Sequence, residues 1–205
     1  MNLSPHFTRA DLEKSDYAQR HNINNSIPDD QIATWKLGLE VVVEPLVKLF
    51  PDLMLGSAFR NEDLNRGVGG SKNSQHRGLF YMEHRKPPKY VSCCAFDLEI
   101  PLKSGGNIHL LRTVVHSGLP FDEAIWEYGT PTEPAWVHVS YVPNETNRRK
   151  VIRFRMEKDS LGQNKLVKES ITVEPPEQVK RLAHIVNPQP PLPTTRTIAG
   201  GSASI

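Results

Sequence analysis

Two histidines and one aspartate are the residues of this sequence best suited to metal chemistry. His76 follows a glycine-rich loop, Asp97 lies in an apolar run, and His138 lies in the apolar segment Trp136–Tyr141. Two imidazoles and a carboxylate can hold Zn²⁺ while a fourth position stays open for water. Zinc lowers the pKa of that water toward neutrality, so a nearby carboxylate can accept its proton. These residue types therefore predict a catalytic zinc site.

Spacing alone does not distinguish a metal ligand from a structural residue at His76, Asp97 or His138. A histidine in a strand is more often held by hydrogen bonds than by a metal, and an aspartate in an apolar run can be a buried cap. Alternation along 136–141 is more informative, because successive side chains of a strand point to opposite faces. It places Trp136, His138 and Ser140 on one face and valines on the other. This pattern favours a site wall.

The elements that must position these residues follow from periodicity. Acidic residues after Pro28 begin a helix, and apolar residues then recur at three- and four-residue steps from Ile32 to Leu49, with Pro45 expected to kink or end it. A second helix is predicted over 107–116, and strands over 53–55, 93–100, 124–128 and 136–141. This order predicts an α+β fold, with N-terminal helices packed on a small, mostly antiparallel sheet that carries the zinc site.

Composition excludes several classes of protein. The 205 residues are 38% hydrophobic and 23% charged, which fits one globular domain with appendages. No apolar run approaches the roughly 20 residues of a membrane helix, and the first residues lack the pattern of a signal peptide. A net charge of +2 is too small for a nucleic-acid binder. We therefore expect neither a membrane nor a nucleic acid as a partner.

Residues 149–205 differ from the rest of the chain. They contain 10 Lys or Arg against 5 Asp or Glu, and six of the 17 prolines lie in the last 31 residues. The segments 151–158 and 165–173 flank a turn and predict a hairpin, whereas the proline-rich end predicts an extended tail. The composition therefore predicts a domain over 1–148, followed by a basic hairpin and tail over 149–205.

Six motifs carry a resemblance to a known family. They are 2–8 (NLSPHFT), 56–65 (GSAFRNEDLN), 68–76 (VGGSKNSQH), 95–97 (AFD), 121–128 (FDEAIWEY) and 136–141 (WVHVSY). In this order they resemble the zinc D-alanyl-D-alanine carboxypeptidase and L-alanyl-D-glutamate endopeptidase family, above all its phage-encoded branch. The same metal fold occurs in the signalling domain of hedgehog proteins. The resemblance implies a zinc peptidase whose substrate is a peptidoglycan peptide.

The resemblance also implies roles for single residues. His76, Asp97 and His138 match the family's zinc ligands. Arg60 matches an arginine that polarises the scissile carbonyl or binds a peptide carboxylate, and a guanidinium suits both tasks. Further residues implied to contact the substrate are Ser57, Ser74, Gln75 and Trp136.

The catalytic base has two candidates, because this sequence departs from the family pattern. Many members carry a glutamate three residues before the last histidine, where this chain has Ala135. Glu127 and Glu133 are the two candidates. We prefer Glu127, because a strand end positions a base more rigidly than a loop does. For Glu133, the sequence fits a structural role as well as it fits a catalytic one.

A second departure is an insertion between two of the implied ligands. About 14 extra residues separate His76 from Asp97, and a long surface insertion costs little closure free energy. The ligands can therefore still converge if the insertion leaves the rim of the site. Alternatively, it supplies His84 as another ligand or covers the cleft.

The sequence thus predicts a zinc metallopeptidase of phage lysin type, in which Glu127 deprotonates metal-activated water. Without a signal peptide, such an enzyme is expected in the host cytoplasm before it acts at the bacterial cell wall, or in the virion. The alternative is a virion or tail structural protein that keeps the peptidase fold with weak or no activity. The insertion, Ala135 and the segment 149–205 motivate this alternative, and that segment would contact virion or tail proteins.

Overall fold

The computed structural model describes residues 1–83 and 86–176. Its helices are α1 Arg9–Glu13, α2 Asp16–Arg20, α3 Ile32–Gly38, α4 Glu44–Leu49, α5 Glu62–Gly67 and α6 Gly106–His116. Its strands are β1 Met54–Ser57, β2 Leu79–Met82, β3 Lys89–Ser92, β4 Cys94–Glu99, β5 Glu123–Glu127, β6 Trp136–Tyr141, β7 Lys150–Lys158 and β8 Asn164–Ser170. No helix in these ranges has the length and apolar character needed to cross a membrane.

The long helix predicted from Ile32 to Leu49 forms without interruption. A π-helical turn, Leu39–Val43, joins α3 to α4, and the Glu44 N–H donates to the Leu39 carbonyl. Pro45 lacks an N–H and would leave a gap in a regular α-helix. The wider π-helical turn before the proline allows the helix to continue past it without a break. The expected disturbance at Pro45 therefore occurs one turn earlier, as a bulge.

One six-stranded sheet carries the site, in the order β1-β4-β6-β5-β7-β8. Every neighbouring pair is antiparallel except β5 and β7, which are parallel. The inner face packs on α3 and α6, and Trp35, Phe96 and Val139 are fully buried between these layers. The predicted α+β fold with a mostly antiparallel sheet is confirmed. The predicted alternation in β6 holds too, since the valines face this core.

The predicted C-terminal hairpin forms from β7 and β8. It continues the main sheet through β5, and its Ile152 is buried. The boundary at residue 148 stays a prediction. The proline-rich end of the tail, from residue 177, lies outside the described residues.

The insertion between His76 and Asp97 forms a second, smaller sheet. β2 and β3 pair antiparallel and bury Phe80, Met82 and Val91 in a separate apolar cluster with Cys93. Within its described residues, the insertion therefore contributes two paired strands. His84, the alternative ligand, lies outside the described residues.

Candidate metal centre

Three elements bring the predicted ligands together. His76 lies in the short 3₁₀ turn Gln75–Arg77, whereas Asp97 of β4 and His138 of β6 are cross-strand partners. His76 Nε2 lies 3.0 Å from His138 Nδ1 and 3.2 Å from Asp97 Oδ1. The remaining distance, from His138 Nδ1 to Asp97 Oδ1, is 3.1 Å. All three residues are buried, so residues far apart in the chain form one compact donor set.

The donor set fits a zinc ion. His76 Nδ1 lies 2.5 Å from the Ala58 carbonyl, which accepts its proton and leaves the Nε2 lone pair directed at the other two residues. Tetrahedral ligands with bonds of about 2.0–2.2 Å lie roughly 3.3–3.5 Å apart, close to the separations observed here. Three buried ligand atoms at such distances can share one cation between them. Zinc is one such cation, and His, His and Asp are ligands that it prefers.

The electrostatics of the site favour the unprotonated ligands. Burial lowers the pKa of His76 below its ordinary value, because the charged imidazolium is poorly solvated. Burial alone would raise the pKa of Asp97, but the electrostatic interactions and hydrogen bonds that link its carboxylate to His76 and His138 outweigh burial and hold the pKa far below normal. Metal ligands must be deprotonated to bind. The folded chain therefore presents the forms that a metal requires.

Arg60 lies directly behind the aspartate ligand. Its Nη2 donates to Asp97 Oδ2 at 2.5 Å, and its Nε donates to Ser57 Oγ at 3.0 Å. Asp97 thus offers Oδ1 to the ligand cluster while Oδ2 is held by the guanidinium. Ser57 in turn fixes the orientation of Arg60. This contact with the aspartate ligand is additional to the contact with the substrate that the sequence predicts.

A cleft of about 1060 Å³ opens above the three ligands. Its walls include Arg60, Ser74, Tyr81, Glu127, Tyr128, Trp136, Phe154 and Lys168. Phe80 and Tyr81 of the insertion contribute to one wall, so the insertion borders the cleft. That it covers the cleft stays a prediction.

Glu127 faces this cleft from the end of β5. Ile125 pairs with His138, and Glu127, two residues further along, therefore lies on the same face of the sheet as the ligands. Burial raises the pKa of Glu127 from 4.5 to about 7. A carboxylate with a pKa near neutrality is well matched to proton transfer.

Glu133 has a different position. Its Oε1 accepts hydrogen bonds from the backbone N–H groups of Asn107 and Ile108, the latter at 3.3 Å. These are N–H groups of the first turn of α6, which have no partners within the helix. Glu133 therefore caps α6 and does not line the cleft, so the structure does not bring this candidate base to the ligands.

The other predicted site residues divide into two groups. Ser57, Ser74 and Trp136 line the cleft, and Trp136 lies with its ring centroid 5.5 Å from that of Tyr128. Gln75 borders the cleft, but its Nε2 donates to Asp122 Oδ2 at 2.9 Å. Gln75 therefore anchors the turn that carries the first ligand.

Asp122 is the site-supporting residue that sequence reasoning missed. It is fully buried and accepts hydrogen bonds from Gln75 and from the Arg148 guanidinium, whose Nε lies 3.0 Å from both carboxylate oxygens. The available signal was an aspartate directly after the apolar Phe121. The Ala58 carbonyl that orients His76 has no such signal, because it is a backbone group.

The α+β fold and the His-Asp-His cluster fit the class of zinc metallopeptidases. Residues 5–140 match the family model described as Peptidase M15. This match covers more than half of the chain, and the chain belongs to the M15 family of zinc peptidases, as its motifs predicted. No curated protein and no solved structure shows a significant match to the chain.

The raised pKa of Glu127 predicts a pH-dependent cost to stability in the metal-free protein. Folding lifts its pKa from 4.5 to about 7, so the folded state keeps a proton that the unfolded state releases between these values. Stability therefore falls as pH rises through this interval. In metal-free protein, Glu127→Gln should be more stable than wild type by about 2–3 kcal/mol at pH 8, with a smaller difference at pH 5.

Urea unfolding of the metal-free protein at both pH values measures this difference. Glu40→Gln is the matched control, since Glu40 is an exposed helical glutamate that does not line the cleft. A Glu127→Gln effect that is independent of pH would contradict the prediction.

Proposed function

We propose that the protein is a zinc-dependent peptidase of phage lysin type, which hydrolyses a peptide bond in peptidoglycan stem peptides. The observation that carries the proposal is the convergence of His76, Asp97 and His138 under a cleft that Glu127 also faces. Membership of the M15 family supports a metallopeptidase that acts on peptidoglycan peptides. The lysin type rests on the motif resemblance.

His76 Nε2, Asp97 Oδ1 and His138 Nδ1 would hold the zinc ion. When bound, zinc supplies a Lewis acid that polarises the scissile carbonyl and makes water more acidic. The Ala58 carbonyl keeps the proton of His76 on Nδ1, which leaves Nε2 unprotonated for the metal. Arg60 holds Asp97 Oδ2, the carboxylate oxygen that is not offered to the metal. These contacts preorganise the ligands before metal binds.

Glu127 is the proposed base. It accepts a proton from the water that attacks the carbonyl and then returns the proton to the leaving amine. Its half-buried position on β5 gives it a fixed place beside the ligands, which a loop residue would lack. Trp136 and Tyr128 offer an aromatic wall against which an extended peptide can pack.

The alternative, a virion or tail structural protein with little activity, was motivated by Ala135, by the insertion and by the segment 149–205. Glu127 supplies a carboxylate in the cleft despite Ala135, and the insertion contributes two paired strands beside an intact ligand set. These observations favour the enzyme. Contact with virion or tail proteins through the C-terminal segment stays a prediction.

Zinc content and peptidoglycan hydrolysis test the proposed function together. The purified protein should bind one zinc ion per chain and release new amino groups from purified peptidoglycan. His138→Ala should lose both properties, whereas His21→Ala, which removes an exposed histidine stacked on Tyr17, should keep both. One bound zinc with no release of amines would favour the structural protein, and a chain that binds no zinc would contradict the metal site itself.

A further inference from the structure

We propose that the hairpin of β7 and β8 builds an anion-binding subsite in the cleft, where the Lys168 ammonium binds a free carboxylate of an acidic peptide substrate. This inference rests on the proposed peptidase function and adds a substrate preference to it. The family match ends at residue 140, so the hairpin lies beyond the matched segment. The proposed subsite therefore lies outside the matched segment.

The register of the sheet places Lys168 on the same face as the metal ligands. Directly paired residues of neighbouring strands point to the same face. Glu127 pairs with Phe154 of β7, and Phe154 pairs with Lys168 of β8. This row of three side chains crosses three adjacent strands on the side of the cleft. Lys168 and Phe154 accordingly line the cleft together with Leu166.

The Lys168 ammonium is available to a ligand. It lies 5.3 Å from the centroid of the Phe154 ring, a distance at which a cation–π interaction holds it over the aromatic face. Arg60 and Arg148, the arginines that line the cleft, are each paired with a buried aspartate. Within residues 1–83 and 86–176, no carboxylate forms an ion pair with Lys168 at 4.0 Å or less. Its N–H groups can therefore donate hydrogen bonds to an incoming anion.

The position of Lys168 sets the kind of ligand. Neighbouring strands lie about 4.8 Å apart, which puts β8 roughly 10 Å from Glu127 across the sheet. An extended peptide covers about 3.3–3.6 Å per residue, so a carboxylate at Lys168 lies about three residues from the bond being cut. Leu166 is 48% exposed beside Lys168 and offers an apolar surface to the aliphatic part of the same residue. The subsite thus suits an acidic residue in a short peptide.

Two lysine variants separate this role from general charge. Lys168→Gln removes the ammonium from the cleft. Lys165→Gln is the matched control, because Lys165 lies on the same strand, is exposed and points to the opposite face. Both variants lose one positive charge from β8.

The substrates are peptide pairs that differ in a single group. In each pair, one peptide carries a carboxylate on the third residue from the scissile bond, on the N-terminal or the C-terminal side, and the other carries a carboxamide there. Wild type should cleave the acidic member of one pair with about tenfold higher kcat/KM. Lys168→Gln should lose this preference, mainly through KM. Lys165→Gln should keep the preference.

Calorimetry of peptide binding to the Glu127→Gln protein measures affinity without turnover. Adding Lys168→Gln should raise the Kd of the acidic peptide about tenfold and leave that of the amide unchanged. Equal losses for both peptides, or equal effects of the two lysine variants, would overturn the subsite. If wild type cleaves neither peptide, the peptidase proposal fails, whereas a carboxylate preference in binding that depends on Lys168 would still support the subsite.

Discussion

Replacing Glu127 by glutamine is expected to lower kcat for peptide hydrolysis by about a thousandfold, within the range measured for general acid–base groups. Glutamine keeps the shape of the side chain but cannot accept the proton of the attacking water. Because Glu127 is not one of the three converging ligands, the variant should still bind one zinc ion. Steady-state hydrolysis, with metal content measured on the same samples, provides the check.

Glu133→Gln is the decisive comparison, since it makes the same chemical change in the other candidate base. Glu133 caps the first turn of α6, so its loss should cost stability of about 1 kcal/mol while activity stays within a few-fold of wild type. If Glu133→Gln abolished hydrolysis and Glu127→Gln left it intact, the assignment of the base would be reversed.

The second large effect is expected at Asp122. Asp122→Ala removes one member of a buried ion pair and leaves the Arg148 guanidinium without its main partner. Breaking such a pair typically costs about 3–5 kcal/mol of folding stability. The change also frees the Gln75 amide, which anchors the turn carrying His76. Zinc affinity should therefore fall together with stability.

Urea unfolding and zinc titration measure the two consequences separately. Asp63→Ala is the control, because Asp63 forms an exposed ion pair with Arg66 and should cost less than about 1 kcal/mol. If Asp122→Ala does not fold, Asp122→Asn keeps the size of the side chain and should show a smaller loss of both properties. If both Asp122 variants kept the stability and the zinc affinity of the wild type, the role of Asp122 in supporting the metal site would be contradicted.

The regular parts of the fold were predictable because local periodicity specifies them. The apolar repeat from Ile32 to Leu49 and the alternation in 136–141 each depend on one face packing against the core. The site residues were placed by motif resemblance, since spacing alone left structural roles open. The structure then brought the three predicted ligands together.

Other features depend on contacts between distant segments and had no local signal. The parallel pairing of β5 with β7 joins residues that do not neighbour each other in sequence. The strand β2 has the sequence LFYM, which lacks the alternation of a half-buried strand. Glu133 caps α6 because its loop folds back on that helix. This contact joins segments that are distant in the chain, so nothing in the sequence near Glu133 indicated it.

The buried pair of Asp122 and Arg148 has a consequence for dissecting the chain. Arg148 lies eight residues beyond the end of the family match, yet it neutralises an anion that also holds the first ligand's turn. A minimal fragment cut at residue 140 would therefore keep a bare carboxylate in its interior and a loosened ligand loop. We therefore expect the shortest fragment that folds with an intact ligand set to include Arg148, so that the segment directly after β6 supports the site rather than merely extending the chain.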